Sequence, residues 1–392
     1  MAILYGLFWV SVFLLVYNYV LYPLILYAYQ LLKRNRVQPT AQEDLPAVTL
    51  IISAFNEAAV MDKKLQNAVE LDYPAEKLEI LVVSDASTDG TDKIVQRWME
   101  RDPRIQLLRM PERRGKTAGL NLAVDRASGD IVIFSDANAM YEKNAIHELV
   151  RFFADDRVGY VVGKAVYLEE DTSPASFSEN VYWKYELWIK KLESDFHSVV
   201  GGDGAIYAIR RHLFDRLHAD DINDFVNPLQ IVAKGYRGVF NPHAVCYEYA
   251  ASDFLKEYWR KRRIVNRSWR AFKKYLKLFD VRKQWKFLFL LFSHKVIRWF
   301  NWVFLLTIYV TTIAINLLSD SLFFRVVLIL EILFVLFSLI GYYLDRKGKP
   351  IPILFYLPYY YHLINLAAFL GIVDDFRGKK YVKWDHVRVN QG

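Results

Sequence analysis

The first 32 residues carry no charged side chain; the first charge is Lys33. A helix needs about 20 apolar residues to cross the hydrocarbon core of a bilayer. No backbone crosses that core with its N–H and C=O groups unpaired. The stretch is therefore expected to be a helical anchor over residues 1–33, with a kink at Pro23, whose ring removes a backbone hydrogen bond. It lacks the basic start and small-residue cleavage site of a secretory leader. Lys33, Arg34 and Arg36 follow at once, which places that end, and the domain after it, in the cytoplasm.

Three more apolar segments, 299–318, 322–343 and 351–373, stand near the other end. The turn at Asp320 has no basic residue, as an outer loop requires, and Arg346, Lys347 and Lys349 mark a return to the cytoplasm. Counting crossings then sends a basic tail, 374–392, outside. Its Arg377, Lys379, Lys380, Lys383 and Arg388 favour the inside, so the two rules conflict. Pro352, Pro358 and the Tyr359-Tyr360-Tyr361 belt mark the last segment as one that bends or lies partly in the interface.

Charge sharpens the picture. Residues 256–298 hold fifteen Lys and Arg against Glu257 and Asp280, or +13, which leaves −5 for the rest of a chain whose net charge is +8. Within 251–298, Trp259, Ile264, Trp269, Phe272, Tyr275, Leu276 and Phe279 recur at spacings of three and four, and Trp285 to Phe292 forms a second apolar run. This is the pattern of amphipathic helices on a lipid surface. No nucleic-acid module accompanies it, so the expected partner is the bilayer and not nucleic acid. The single cysteine, Cys246, excludes an internal disulfide and reads as a small buried hydrophobe.

Between 46 and 250 short β-branched runs alternate with helical patterns. Strands are expected at 48–52, 78–83, 105–108 and 131–134, with helices near 57–70, 90–101 and 116–127. Such alternation predicts βαβ units, hence an α/β domain with a mostly parallel sheet. Ligands of such sheets bind outside the carboxyl ends of the strands. There the chain places Ala54-Phe55-Asn56-Glu57, then Asp85 in Ser84-Asp-Ala-Ser-Thr-Asp-Gly-Thr91, and Asp136-Ala-Asn138. Arg114-Gly115-Lys116 opens a helix, a position that suits phosphate. Carboxylate and amide oxygens suit hard cations such as Mg²⁺ or Mn²⁺. One acid at a strand end is ordinarily a cap or a turn former; four such groups in order on one sheet edge describe a pocket for a nucleotide and a metal.

This ordered set resembles the membrane-bound family 2 glycosyltransferases of GT-A (Rossmann-like) fold. The likeness runs on through Gly201-Gly-Asp-Gly-Ala-Ile-Tyr-Ala-Ile-Arg210-Arg211 and Asp224-Phe-Val to the basic helices and terminal spans. It is similar to the branch that makes hyaluronan, chitin oligosaccharides and poly-N-acetylglucosamine. The resemblance implies a UDP-sugar donor, with Ala54, Asn56, Glu57, Asp85, Lys116, Asp136 and Arg263 around it, and Mg²⁺ or Mn²⁺ on Asp136 and Asn138. It implies Asp224 as the catalytic base, and Gly202, Asp203, Trp183 and Tyr185 beside the acceptor.

The chemistry requires those residue types. An inverting transfer needs a carboxylate to take the acceptor's proton, and the departing diphosphate needs positive charge. Two departures from the family pattern stand out. The second metal-site residue is the neutral Asn138, and the Gln-x-x-Arg-Trp motif of processive members is replaced by Arg260-x-x-Arg263-Ile264.

The expected function is thus a multi-pass enzyme of the plasma (inner) membrane that extends a β-linked glycan on a glycan or lipid-linked acceptor. The alternatives are addition of a single sugar to a polyprenyl-linked acceptor, or a nucleotide-sugar-binding pseudoenzyme. The few spans leave room for a second copy or an accessory secretion protein to complete a pore.

Overall fold

The computed structural model describes residues 1–32, 37–39, 44–168, 174–249 and 254–382, with 174–182 and 249 described by their backbone alone. Lys33, Arg34, Arg36, Lys383 and Arg388, which entered the charge argument, lie outside the described residues. Among the described residues four helices are long and apolar enough to cross a membrane: α1 (Ala2–Leu32) before the α/β domain, and three beyond it.

The domain is built on β1 (Val48–Ala54), α2 (Ala58–Val69), β2 (Leu78–Ser84), α3 (Thr91–Met99), β3 (Ile105–Arg109), α4 (Lys116–Arg126) and β4 (Ile131–Asp136). These match the expected elements to within two residues at most boundaries. There follow β5 (Met140–Tyr141), α5 (Ala145–Val150), β6 (Val158–Leu168), α6 (Pro174–Phe196), β7 (Tyr207–Arg210), α7 (Asn223–Ala233) and β8 (Arg237–Tyr249).

One sheet runs in the order β3-β2-β1-β4-β7-β6-β8-β5. The first four strands are mutually parallel; β7 pairs antiparallel with both β4 and β6. The sheet is thus mixed but mostly parallel, as expected: β6 and β8 also pair parallel, while β7 and β5 run antiparallel to their neighbours. Its strands read as near-continuous apolar runs because both faces are covered. Leu50, Ile52, Ile80 and Val82 pack with Met61 and Leu65 of α2 on one side, while Ile51, Leu81 and Val83 pack with Leu120 and Ala123 of α4 on the other.

Register does the positioning. Ala54 pairs with Ser84, and Ser53 with Asp136, so β1, β2 and β4 end level with one another. At those ends Asn56 (φ 54°) and Ala86 (φ 56°) adopt the left-handed conformation, which non-glycine residues seldom take.

Beyond the domain come α8 (Phe254–Tyr275), α9 (Val281–Leu291), α10 (Asn301–Leu318), α11 (Leu322–Arg346) and α12 (Ile353–Phe376). The first half of α1 packs on α10 and α11, with the Phe8 and Phe324 ring centroids 5.0 Å apart. Its second half packs on α6, where Tyr22 donates to Glu193 at 2.7 Å.

The basic block carries a feature that the sequence does not show: on α8 most cations are matched by acids of the protein. Arg262 binds Asp374, Arg270 joins Asp220 to Asp375, and Lys274 reaches Asp221. Arg260 and Lys261 bind Glu257. The helix is a strap between the domain and the apolar helices, and a charge count along the sequence does not reveal partners that are distant in the chain.

Candidate active site

The Ser84–Thr91 loop is first of all a lock between two strand ends. Asp89 accepts the Ala58 N–H at 2.9 Å, which caps α2, and the Thr91 N–H at 3.0 Å. Asn56 accepts the Thr88 N–H at 2.8 Å, and its own N–H donates to Ser87 at 3.1 Å. Burial pushes the Asp89 carboxyl up, but the Thr91 hydroxyl and these N–H groups outweigh it and hold it below the ordinary value.

Asp85 is buried, and its two oxygens accept the backbone N–H groups of Arg114 and Gly115 at 2.8 and 2.9 Å. Its own N–H donates to the Ala54 carbonyl at 2.9 Å. Asp85 therefore fixes the loop that opens α4. Gly115, at φ 91°, supplies the turn a side chain would resist. Arg113 stacks over the Phe55 ring at 3.9 Å. Asp85, Ala54 and Phe55 line a cleft together with Glu57, Lys116 and Asp136.

Lys116, the first residue of α4, forms an ion pair with Asp136, the last residue of β4. The turn after Asp136 is held from behind by Lys64. This fully buried lysine donates to the Ser135 hydroxyl at 2.8 Å and to the Ala139 carbonyl, and lies 4.3 Å from the Tyr141 ring centre. Burial pulls its pKa down to about 8. Within the turn, Asn138 Oδ1 is buried and has no hydrogen-bond partner among the described residues.

Asp224 enters from the first turn of α7. That turn is set by Tyr207, whose hydroxyl accepts from Asn223 and Asn227 at 2.8 and 2.9 Å and whose ring stacks on Phe134 of β4. Asp224 Oδ1 is also buried without a hydrogen-bond partner among the described residues. Burial pushes its carboxyl above the ordinary range; Lys116 opposes this and Asp203 adds to it.

Gly204 marks where the groups meet. A Cβ built there would lie 3.6 Å from Asp224 Oδ2, 3.7 Å from Lys116 Nζ and 3.8 Å from Asp136 Oδ2. Gly202 donates its N–H to the Asp224 carbonyl, and a Cβ there would stand 3.1 Å from that oxygen. Asp203 pairs with Lys190 at 3.3 Å, and Lys190 lies 5.3 Å from the Trp183 ring centre. Trp183 is thereby connected to the cluster, although its own N–H is used on the Ala165 carbonyl at 2.8 Å. Tyr185 is not brought to it. Its hydroxyl donates to the Tyr19 carbonyl at 2.7 Å, at the junction of α6 with α1.

Arg263 sits one turn before Arg267 on α8, and Arg267 donates to Thr117 at 3.1 Å and to the Asp221 carbonyl. Burial and the neighbouring Arg263 lower its pKa to about 10. The signal for Arg267 was present in the sequence as a second arginine four residues on, hence on the same helical face. Lys64 carried no such signal, because only the fold brings it under β4.

The oxygens of Asp136 and Asn138 fit a hard cation. Among the described residues no group of three or more His, Cys, Asp or Glu side chains forms a metal cage. A cation here would keep water and phosphate as further ligands, which is how Mg²⁺ is commonly held beside nucleotides.

Residues 49–217 match the model of Glycosyl transferase family 2. The chain is 28% identical over 229 residues to a probable glycosyltransferase of Bacillus subtilis, which covers 56% of this chain and 54% of that one. It is 35% identical over 124 residues to a β-monoglucosyldiacylglycerol synthase of Synechocystis, covering 31% and 26%. Against a poly-β-1,6-N-acetyl-D-glucosamine synthase of Staphylococcus aureus it is 30% identical over 122 residues, covering 31% and 29%. The chain thus spans between about a quarter and a little over half the length of these relatives. Among solved structures, a mannosyltransferase from Pyrobaculum calidifontis, in complex with GDP-Man and Mn²⁺, shares the fold. The TM-score is 0.72 at 24% identity, over 95% of this chain and 100% of that one.

Proposed function

We propose that the chain, whose residues 49–217 match the model of Glycosyl transferase family 2, is an inverting, metal-dependent enzyme that moves a sugar from a UDP-sugar to a β-linked glycan at the membrane. The observation that carries this reading is the convergence of Asp224, Lys116 and Asp136 around Gly204.

In the proposed reaction Asp224 takes the proton of an acceptor hydroxyl whose oxygen attacks the sugar's anomeric carbon. The bond from that carbon to the β-phosphate oxygen breaks, and UDP leaves with the electron pair. A carboxylate that burial has made more basic suits this work. Lys116 offsets charge on the departing diphosphate. Asp136 and Asn138 would hold Mg²⁺ or Mn²⁺, which would supply further positive charge to the same phosphates. Asp85, Ala54, Asn56 and Glu57 shape the nucleotide side, with Arg263 and Arg267 approaching it from α8. Gly202, Asp203 and Trp183 border the acceptor side.

A second reading, transfer of one sugar to a lipid-linked acceptor, is favoured by Ile264 where processive members carry tryptophan. A catalytic domain on the cytoplasmic face of the inner membrane accompanies either reading, and a second copy or an accessory protein would be needed to enclose a pore.

The test is the purified protein with UDP-GlcNAc, UDP-glucose, UDP-GlcA and UDP-galactose and Mg²⁺ or Mn²⁺. UDP release supports the transferase reading, and its absence with every donor overturns it. Long products support the glycan reading; single additions favour the lipid one.

A further inference from the structure

The contacts of α12 are not those of a fourth crossing. Helices α10 and α11 form an antiparallel pair, with Thr312 donating to Glu331 at 2.8 Å and Asn316 to the Phe324 carbonyl at 2.9 Å. The start of α10 and the end of α11 therefore lie at one level. That level is the domain's side, because Trp299, just before α10, packs on Trp269 of α8 and Phe225 of α7. A helix that crossed after α11 would begin there and end beside the turn at Asp320.

Helix α12 begins there and ends there. Near its start, Tyr359 donates to Asp345 at the end of α11 at 2.8 Å, and the rings of Tyr356 and Tyr359 pack on Phe254, the first residue of α8. Further on, Phe369 packs on Trp302 in the first turn of α10, with ring centroids 4.5 Å apart. At its end Asp374 binds Arg262 at 2.7 Å, and Asp375 binds Arg270, which also holds Asp220 of the domain at 3.0 Å. Contacts with α8 thus advance together from Phe254 to Arg270 on one helix and from Tyr356 to Asp375 on the other. The two lie side by side and parallel over about 24 Å at 1.5 Å per residue. Gly371 lets the backbones approach: a Cβ there would stand 2.6 Å from the Arg262 carbonyl oxygen.

We infer that α12 lies in the plane of the membrane interface, so that the described residues cross the bilayer three times and residues 377–382 share the catalytic domain's side. The occupant of its exposed apolar surface is the lipid leaflet on that side. Leu354, Leu357, Leu366 and Phe376 are exposed, while Ala367, Ala368 and Ile372 are buried against the protein. Arg377, Lys379 and Lys380 then stand at headgroup level, where basic residues are attracted to anionic lipid. The conflict between crossing count and tail charge disappears, because the count was one too high.

The experiment uses the full chain with one added cysteine at a time, Glu100→Cys on the domain, Asp320→Cys and Lys380→Cys, in sealed vesicles of each orientation. A membrane-impermeant maleimide is the probe. Native Cys246 is 0% exposed, and the parent chain supplies the baseline. Lys380→Cys is expected to label together with Glu100→Cys, in the orientation that protects Asp320→Cys. Labelling of Lys380→Cys together with Asp320→Cys overturns the inference. Arg377→Cys gives the same readout should Lys380→Cys fail to fold. The result is independent of donor and product, so its failure is distinct from failure of the transferase reading.

Discussion

Lys116 and Asp136 close an ion pair across the carboxyl edge of the sheet, and Gly204 is the gap left beside it. Gly204→Ala places a methyl group at ordinary contact distance, 3.6 to 3.8 Å, from Asp224, Lys116 and Asp136, so the fold should not object. Stability is expected to change by no more than about 0.5 kcal/mol. The space for the reacting atoms is filled, however, and displacements near 1 Å there cost on the order of 100-fold in rate. Steady-state rates and thermal melts of the same preparation check both halves.

Asp224→Asn removes the proposed base, and turnover is expected to fall about 10²- to 10⁴-fold while UDP binding persists. The pH dependence follows from the sign of the shift. Burial raises the Asp224 pKa above its unfolded value, so the folded state holds that proton more tightly, and the stability this contributes at low pH is lost as pH rises through the folded pKa. At neutral pH the asparagine variant should therefore melt at or above the parent temperature. The acid limb of kcat/KM in the parent should lie above the ordinary carboxylate range.

The parallel half of the sheet was legible because β1, β2 and β4 are apolar on both faces and each ends in a polar turn. That placed Asp85 and Asp136 on one edge before any coordinates. The remainder depends on contacts distant in sequence. β7 runs antiparallel and holds Asp224 in place through Tyr207, whose partners Asn223 and Asn227 lie 16 and 20 residues away. The cations of α8 are matched by Asp374 and Asp375, over a hundred residues on. A charge count reads a basic surface there because it sees residues without their partners.

Asp89→Ala should loosen the lock between the first two strand ends. It removes the acceptor for the Ala58 N–H at the start of α2, a loss worth about 1 kcal/mol for a helix cap. The Asp89 pKa is depressed in the fold, so its stabilisation is present above the unfolded value of about 4 and is lost as pH falls through the folded pKa. Denaturant melts at pH 7 and pH 3 should show the variant destabilised at the first and closer to the parent at the second.

Lys64→Met removes the buried ammonium that ties Ser135 to Ala139 behind the Asp136 turn. Burial lowers its pKa to about 8 from 10.5. The folded state then binds fewer protons than the unfolded one between those values, and the parent's stability should rise across that window. In the methionine variant that rise should be absent, and half-maximal activity should need at least about tenfold more Mn²⁺ if Lys64 holds the turn in place. An unchanged Mn²⁺ requirement would leave Lys64 a packing residue only.

Asn138→Asp tests the metal itself. The amide oxygen is buried and unpartnered, so a carboxylate in its place adds desolvated charge near Asp136 that only a cation can offset. Without metal the variant should melt below the parent. With Mn²⁺ it should gain more, because stabilisation grows as RT ln(1 + [L]/Kd) and a second carboxylate lowers Kd. A tenfold tighter site adds about 1.4 kcal/mol at saturating Mn²⁺, readable as a steeper rise of melting temperature with concentration. If parent and variant respond to Mn²⁺ alike, the ion is not beside residue 138, and Asp136 would have to hold it without that oxygen.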